Sequence, residues 1–240
     1  MNLIIDIGNS GTKLAIIEGT QKKSLSRYDE LTEKILTDLL ANNKLTRAII
    51  SSVKEIPLFL TKILEVKVDY LHILSYKSRL PFDVEYETPD TLGPDRIAAI
   101  AGAYLTFQGS DVLVIDAGTA ITFDFLTGTK YKGGNISPGI DMRFKALNVF
   151  TGRLPLVSRG EDFSFPARKT TDAIAAGVIT GVIYEINEYI RTFEKKHKDL
   201  KVIITGGDSS YLKDKITPRA IYMPDILIDG LNFILEYNAK

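Results

Sequence analysis

Apolar and polar positions along this chain fall into short blocks whose period changes, and the change sorts them into strands and helices. Leu3–Asp6 and Lys13–Ile17 are isoleucine-rich runs flanking a polar, glycine-bearing tip, the pattern of two paired strands. Glu30–Ala41 switches to helical spacing, with Leu31, Ile35, Leu39 and Leu40 recurring on one face. Arg47–Val53 and Val68–Leu74 are short β-rich runs. The polar stretch 75–94 carries Pro81, Pro89 and Pro94 and reads as a long loop, a kind of segment that is often functional. Asp95–Phe107 predicts a helix with Pro94 in its first turn. Gln108-Gly109-Ser110 then marks a domain boundary. Strands follow at Val112–Ile115 and Ile121–Phe125, a turn at Thr127-Gly128 and a third strand at Tyr131–Ile136. Helices are predicted over Ile140–Val149 and, after a proline-bearing loop, over Thr170–Lys196. Lys201–Thr205 is a buried-type strand ending in Gly206-Gly207-Asp208, and Ile226–Tyr237 is a closing helix. Alternating β and α elements imply an α/β fold, divided into residues 1–109 and 110–240.

The two halves open alike. Residues 4–14 read Ile-Ile-Asp-Ile-Gly-Asn-Ser-Gly-Thr-Lys-Leu, and residues 114–124 read Val-Ile-Asp-Ala-Gly-Thr-Ala-Ile-Thr-Phe-Asp. Asp6 matches Asp116, Gly8 matches Gly118 and Thr12 matches Thr122. Each copy is a hairpin with an acidic, glycine-bearing tip. In the first tip, Asp6 to Lys13, glycines let backbone N–H groups approach a phosphate. Asn9, Ser10 and Thr12 add neutral donors, and Lys13 adds a positive charge. Asp6 would repel phosphate unless a hydrated cation such as Mg²⁺ stood between them. Asn, Gly and Ser also favour plain turns, but a plain turn does not account for the repetition. The second tip has no lysine; Asp116 is placed to bind a cation and Thr119 to bond a phosphate.

Composition narrows the chemistry. The 30 basic and 30 acidic residues cancel, which gives no sign of a nucleic-acid surface or a polybasic membrane patch. The absence of cysteine excludes thiol catalysis, disulfides and zinc–thiolate sites. His72 lies in an apolar run and His197 in a charged one, so carboxylates are the better acid–base candidates. The N-terminus opens directly into a strand, and no run reaches the ~18 unbroken apolar residues of a membrane span. A cytoplasmic location is the expectation.

Other motifs add weight. Gly133-Gly134-Asn135-Ile136-Ser137-Pro138-Gly139 feeds a helix N-terminus, a place for an anion or for tight packing. The Gly206-Gly207 pair is either a tight turn or a place where a flat ring meets backbone. Gly93-Pro94-Asp95-Arg96 stands at a loop-to-helix junction. Asp95 is there either a helix N-terminal acid or a general base beside an arginine that clamps an anionic substrate. No P-loop, no dinucleotide fingerprint after a strand, and no zincin, nucleophile-elbow or protein-kinase motif occurs.

Taken in order, Asp6–Lys13, Gly93–Arg96, Asp116–Thr122, Gly133–Gly139 and the ending Pro224–Leu231 resemble the type III pantothenate kinases, of the acetate and sugar kinase, Hsp70 and actin superfamily. The resemblance spans essentially the whole chain. It implies two similar actin-like, ribonuclease H-like domains facing across a nucleotide cleft. It also implies ATP-dependent phosphorylation of pantothenate to 4′-phosphopantothenate, the entry to coenzyme A. By the same resemblance Asp95 is the catalytic base, and Asp6, Ile7, Gly8, Asn9, Ser10, Gly11, Thr12, Lys13 and Thr119 hold ATP. Tyr86, Gly93, Pro94, Asp95, Arg96 and Thr170 line the pantothenate site, with Thr171 competing for the place of Thr170. Asp116 ligates a monovalent cation, K⁺ or NH₄⁺, and Asp6 holds Mg²⁺ through water. A homodimer without coenzyme A feedback is implied too. Ser10 stands where the family often has threonine, and Pro94 fills its variable slot. The alternatives are a kinase for another small alcohol and a non-catalytic regulatory relative; the latter would lack the base or a phosphate tip.

Overall fold

The computed structural model describes residues 1–160, 163–217 and 219–240. Backbone contacts divide the chain into two units: residues 1–109, 129–132 and 225–240, and residues 110–128 and 133–224.

The first unit is built on a five-stranded sheet in the order β3-β2-β1-β4-β5. β1 (Asn2–Gly8) and β2 (Gly11–Glu18) form the first hairpin, Gly8 pairing with Gly11 across the two-residue turn Asn9-Ser10. β3 (Gln21–Tyr28) extends the sheet beyond β2. Its polar, exposed positions carry no apolar alternation, so the hydrophobic pattern does not reveal it; such polarity is usual on an edge. β4 (Arg47–Ser52) runs parallel to β1, and β5 (Tyr70–Ile73) lies parallel to β4. Leu3, Ile5 and Ile7 of β1 and Leu14 and Ile16 of β2 pack with Leu36 of α1 (Glu33–Asn42) and with Leu60 and Leu64 of α2 (Leu58–Lys67). The alternation of a strand leaves Ile4 and Ile49, both fully buried, for the opposite face. There α3 (Pro94–Thr106) and α7 (Ile226–Asn238) pack on β4, and α7 reaches β1 as well.

The stretch read as one long loop contains the short strand β6 (Asp83–Val84) and a 3₁₀ turn at Pro89–Thr91. β6 pairs with Lys130 and Tyr131, which belong to the first unit. The closing helix also groups with the first unit, because α7 crosses α3 at two glycines. A Cβ on Gly230 would overlap the Ala98 carbonyl of α3, and one on Gly102 would overlap the Ile226 carbonyl of α7.

In the second unit β7 (Asp111–Ala117) and β8 (Ala120–Thr127) repeat the hairpin, and residues 133–138 of β9 (Lys130–Pro138), whose first residues lie in the first unit, continue from it. β10 (Lys201–Thr205) runs parallel to β7, and β11 (Ala220–Tyr222) runs parallel to β10. Ile174, Val178, Ile179, Val182, Ile186 and Ile190 line one side of α5 (Thr170–Glu194) and join the core with Leu113, Ile115 and Phe144. Phe144 belongs to α4 (Ile140–Val149), which packs on α5, and Leu212 to the short α6 (Ser209–Leu212). Polar residues interrupt α5, as the sequence reading has it, yet by length and mean hydropathy the helix could cross a membrane; its apolar stripe is taken up by this core.

The helix crossing yields a test. Gly230→Ala should cost about 1–3 kcal/mol by overpacking, measured by urea denaturation. Gly177→Ala, where a Cβ meets open space, should be neutral or stabilise by up to ~1 kcal/mol.

Candidate functional site

Asp6 lies near the carboxyl end of β1, beside the carboxyl end of the parallel strand β4. Ligands of open α/β sheets bind outside such strand ends. Asp6 is 8% exposed. Ser51, level with it on β4 and fully buried, donates its hydroxyl to Asp6 Oδ1 at 3.3 Å. Lys13 stands opposite Asp6 on β2. Burial pushes the Asp6 carboxyl up to about 6; Lys13 opposes the rise, the Asp95 carboxylate adds to it and the Ser51 hydroxyl opposes it. The fold thus brings Asp6, Lys13 and Asp95 into one electrostatic neighbourhood, although Asp95 is far from the tip in sequence.

Gly11 belongs to the tip for a steric reason. Its φ is +143°, and a Cβ there would sit 2.7 Å from the Tyr28 carbonyl at the end of β3. A side chain would therefore push β3 away from the turn. Asn9 and Ser10 are exposed at the apex, and Thr12 is buried.

Asp95 is the second residue of α3, behind Gly93 at the N-cap and Pro94. Its Oδ1 accepts the Arg96 backbone N–H at 2.8 Å, so it does serve as a helix N-terminal acid. Gly93 leaves room for that carboxylate, which a Cβ at 93 would overlap. Arg96 is 5% exposed. Its guanidinium donates to the Tyr86 hydroxyl at 3.4 Å and lies 5.6 Å from the centre of the Tyr86 ring. Tyr86 stacks on Tyr131, and the Glu85 N–H bonded to the Tyr131 carbonyl holds this segment beside β9. The residues read as a substrate set therefore meet in part: Tyr86 with Arg96, and Gly93 with Asp95.

The second unit carries its own acidic tip. Asp116 is half-buried, Thr119 is exposed, and the Gly139 N–H bonds the Thr119 carbonyl at 3.0 Å. Thr205 ends β10 level with Asp116, just as Ser51 stands level with Asp6. The glycine turn follows at once. Gly206 has φ of +93°, a Cβ there would overlap Asp116 Oδ1, and the Asp208 N–H bonds the Ala117 carbonyl at 2.8 Å. The two hairpins are not superposable residue for residue. Lys13 faces Asp6, whereas Thr122 faces Asp116, so the second hairpin is one residue tighter and puts a hydroxyl where the first has an ammonium. Thr170 and Thr171 open α5, both exposed. The histidines stay out of both tips: His72 bonds Ser78 and Tyr70, and His197 bonds Asp111 and packs on Phe125.

The donors near Asp6 are hard oxygens, the type Mg²⁺ prefers. Among the described residues no group of three or more histidines and carboxylates gathers as a metal cage. Sequence reading missed Ser51 and Thr205, whose roles depend on strand register. The small hydroxyl residues at the ends of apolar runs were the available signal.

The raised Asp6 carboxyl predicts a pH dependence. The native state holds a proton between about pH 4 and 6 that the unfolded chain has released. Ionised Asp6 therefore costs stability above about pH 6 and nothing below about pH 4, on the order of 3 kcal/mol at about 1.4 per unit. Asp6→Asn should stabilise the protein by about 1–3 kcal/mol at pH 8 without nucleotide and lose that advantage by pH 4. Denaturant unfolding at both pH values checks this.

Comparison with known proteins gives the context. The model of the type III pantothenate kinase family matches residues 2–192. A type III pantothenate kinase of Phocaeicola vulgatus is 42% identical over 243 residues, covering 100% of both chains. A solved structure from Campylobacter jejuni, described as a conserved Baf family transcriptional activator, is 28% identical with TM-score 0.63 and covers 99% of this chain and 98% of its own. A structure from Sinorhizobium meliloti described as a 2-dehydro-3-deoxygalactonokinase is 14% identical with TM-score 0.58, covers 100% of this chain and 98% of its own, and shares the fold alone. The fold is that of the actin-like sugar kinases, and the chain belongs to the type III pantothenate kinase family.

Proposed function

We propose that this protein transfers the γ-phosphoryl group of ATP to the primary alcohol of pantothenate, giving 4′-phosphopantothenate for coenzyme A biosynthesis. Family membership supports the reaction. The observation that carries the reading is the gathering of Asp95 with the Asp6–Lys13 tip in one unit. It supports reading Asp95 as the base and the Asp6–Lys13 turn as the phosphate site. Asp95 accepts the proton of the alcohol while the alcohol oxygen bonds the γ-phosphorus and the bond to the ADP oxygen breaks. Phosphoryl transfer needs positioning and charge neutralisation more than covalent help. The tip amides and Lys13 supply part of that charge. Asp6 would hold a Mg²⁺ ion through water, and that ion would supply further positive charge against the phosphates. Arg96 and Tyr86, with Gly93, Pro94 and Thr170, receive pantothenate, the guanidinium facing its carboxylate. Thr119 contacts ATP, and Asp116 holds a monovalent cation, K⁺ or NH₄⁺.

A homodimer is part of this reading. Phe150, Leu156 and Tyr184 of the second unit are all more than half exposed and would be available to a second copy. A cytoplasmic enzyme domain is the matching location. The Campylobacter relative's description keeps a regulatory role as the second reading. Retention of Asp6, Lys13, Asp95 and Asp116 favours catalysis over it.

An ADP-release assay with ATP, Mg²⁺, K⁺ and pantothenate tests the proposal. Asp95→Asn should lower kcat about 10²–10⁴-fold, the usual scale for a general base. Absence of pantothenate-dependent ADP release in the wild type would move the assignment to the regulatory reading or to another alcohol. In the same assay Asp116→Asn should lose the rise in rate that KCl brings to the wild type; an unchanged KCl response would remove Asp116 from the cation site.

A further inference from the structure

The first tip has a charge deficit. A nucleoside triphosphate is polyanionic, and Asp6, at the base of the tip proposed to receive it, already feels the Asp95 carboxylate. Lys13 is the only cation within the tip sequence. The strand beside it supplies another. β4 runs parallel to β1 and ends level with it, Ser51 beside Asp6 and Ser52 beside Ile7. The Val53 N–H bonds the Ile7 carbonyl at 3.1 Å and continues the ladder to the edge of the turn. Ser52 then fixes the next step. Its hydroxyl accepts the Lys54 backbone N–H at 3.1 Å and donates to the Lys54 carbonyl at 2.8 Å. This clasp aims the Lys54 side chain across the tip, where Nζ donates to the Asn9 carbonyl at 2.8 Å.

Asn9 is one of the two apex residues of the turn. We propose that Lys54 is a second phosphate-contacting cation of the nucleotide site, held over the tip by the Ser52 clasp and the Asn9 carbonyl. An ammonium has three donors, so one on Asn9 leaves two for phosphate oxygens. Charged phosphate oxygens are stronger acceptors than a neutral carbonyl. Lys54 is exposed and, among the described residues, pairs with no carboxylate, so its charge is not already neutralised by one. On the other flank, Arg27 of β3 stands opposite Lys13 and makes a long 3.4 Å contact with the Ser10 carbonyl. The tip is thus flanked by cations from three strands or their ends, which a reading confined to the Asp6–Lys13 motif does not find.

The inference rests on the nucleotide reading of the first tip, and its test does not require turnover. Lys54→Gln, Lys54→Arg and, as a net-charge control on the exposed side of α2, Lys62→Gln are compared for binding a non-hydrolysable ATP analogue with Mg²⁺ by calorimetry. Melting temperatures without nucleotide are measured alongside. Lys54→Gln should weaken binding about ten- to hundredfold, the scale of a hydrogen bond to a charged group. It should leave the nucleotide-free melting temperature unchanged, while Lys54→Arg restores most of the affinity and Lys62→Gln binds as the wild type does. In turnover, KM for ATP should rise and KM for pantothenate stay put. Lys54→Gln binding as tightly as Lys62→Gln would overturn the proposal. So would a fall in the nucleotide-free melting temperature with affinity that arginine fails to restore, the mark of a purely structural staple. Wild-type binding without pantothenate turnover would overturn the reaction assignment alone. A wild type that binds no nucleotide would overturn both.

Discussion

A carboxylate buried at the end of a strand is the constraint around which the first unit is arranged. Asp6 has little access to water, and burial there raises its pKa, which makes keeping it ionised costly. Each neighbour acts on that cost. The Ser51 hydroxyl and the Lys13 ammonium relieve it, and the Asp95 carboxylate adds to it. A carboxylate held with this much residual strain gains from any cation brought to it. A buried acid is thus poor for stability, the cost expected where a residue departs from the most stable arrangement.

The same design appears in the second unit with different chemistry. Both hairpins place an acid near the end of the first strand and a buried hydroxyl residue level with it on a parallel neighbour, Ser51 beside Asp6 and Thr205 beside Asp116. One residue of difference between the hairpins decides what faces the acid: an ammonium in the first, a hydroxyl in the second. Thr122 is the cross-strand neighbour of Asp116, and the Gly206 turn closes against its carboxylate. A duplicated scaffold can divide charge work in this way because strand register, not sequence identity, sets which side chains meet.

Fold likeness alone would not reach this function. Structures sharing the fold at 10–14% identity are described as kinases for different sugars, so the assignment has to come from the site. The Gly93–Arg96 segment carries the local evidence: its Asp95 acts on the Asp6 carboxylate, and Arg96 meets Tyr86 from a strand-bearing loop.

Much of this was legible in the sequence. The duplicated tips, the α/β alternation, the helix at Gly93–Arg96 and the family all follow from local patterns, since apolar periodicity and glycine placement are properties of contiguous residues. The polar edge strand β3 and the helix α2 escaped that reading. β3 lacks apolar alternation, and α2 follows Pro57 with only Leu60 and Leu64 fully buried. Ser51, Thr205 and Lys54 escaped it for a deeper reason. A serine at the end of an apolar run has no meaning until a parallel strand is set beside it in a particular register. Only tertiary structure, by laying β4 along β1 and β10 along β7, set Ser51 and Thr205 level with an acid and Lys54 on the Asn9 carbonyl. It also moved the closing helix to the first unit, because two glycines far apart in sequence allow α3 and α7 to touch backbone to backbone.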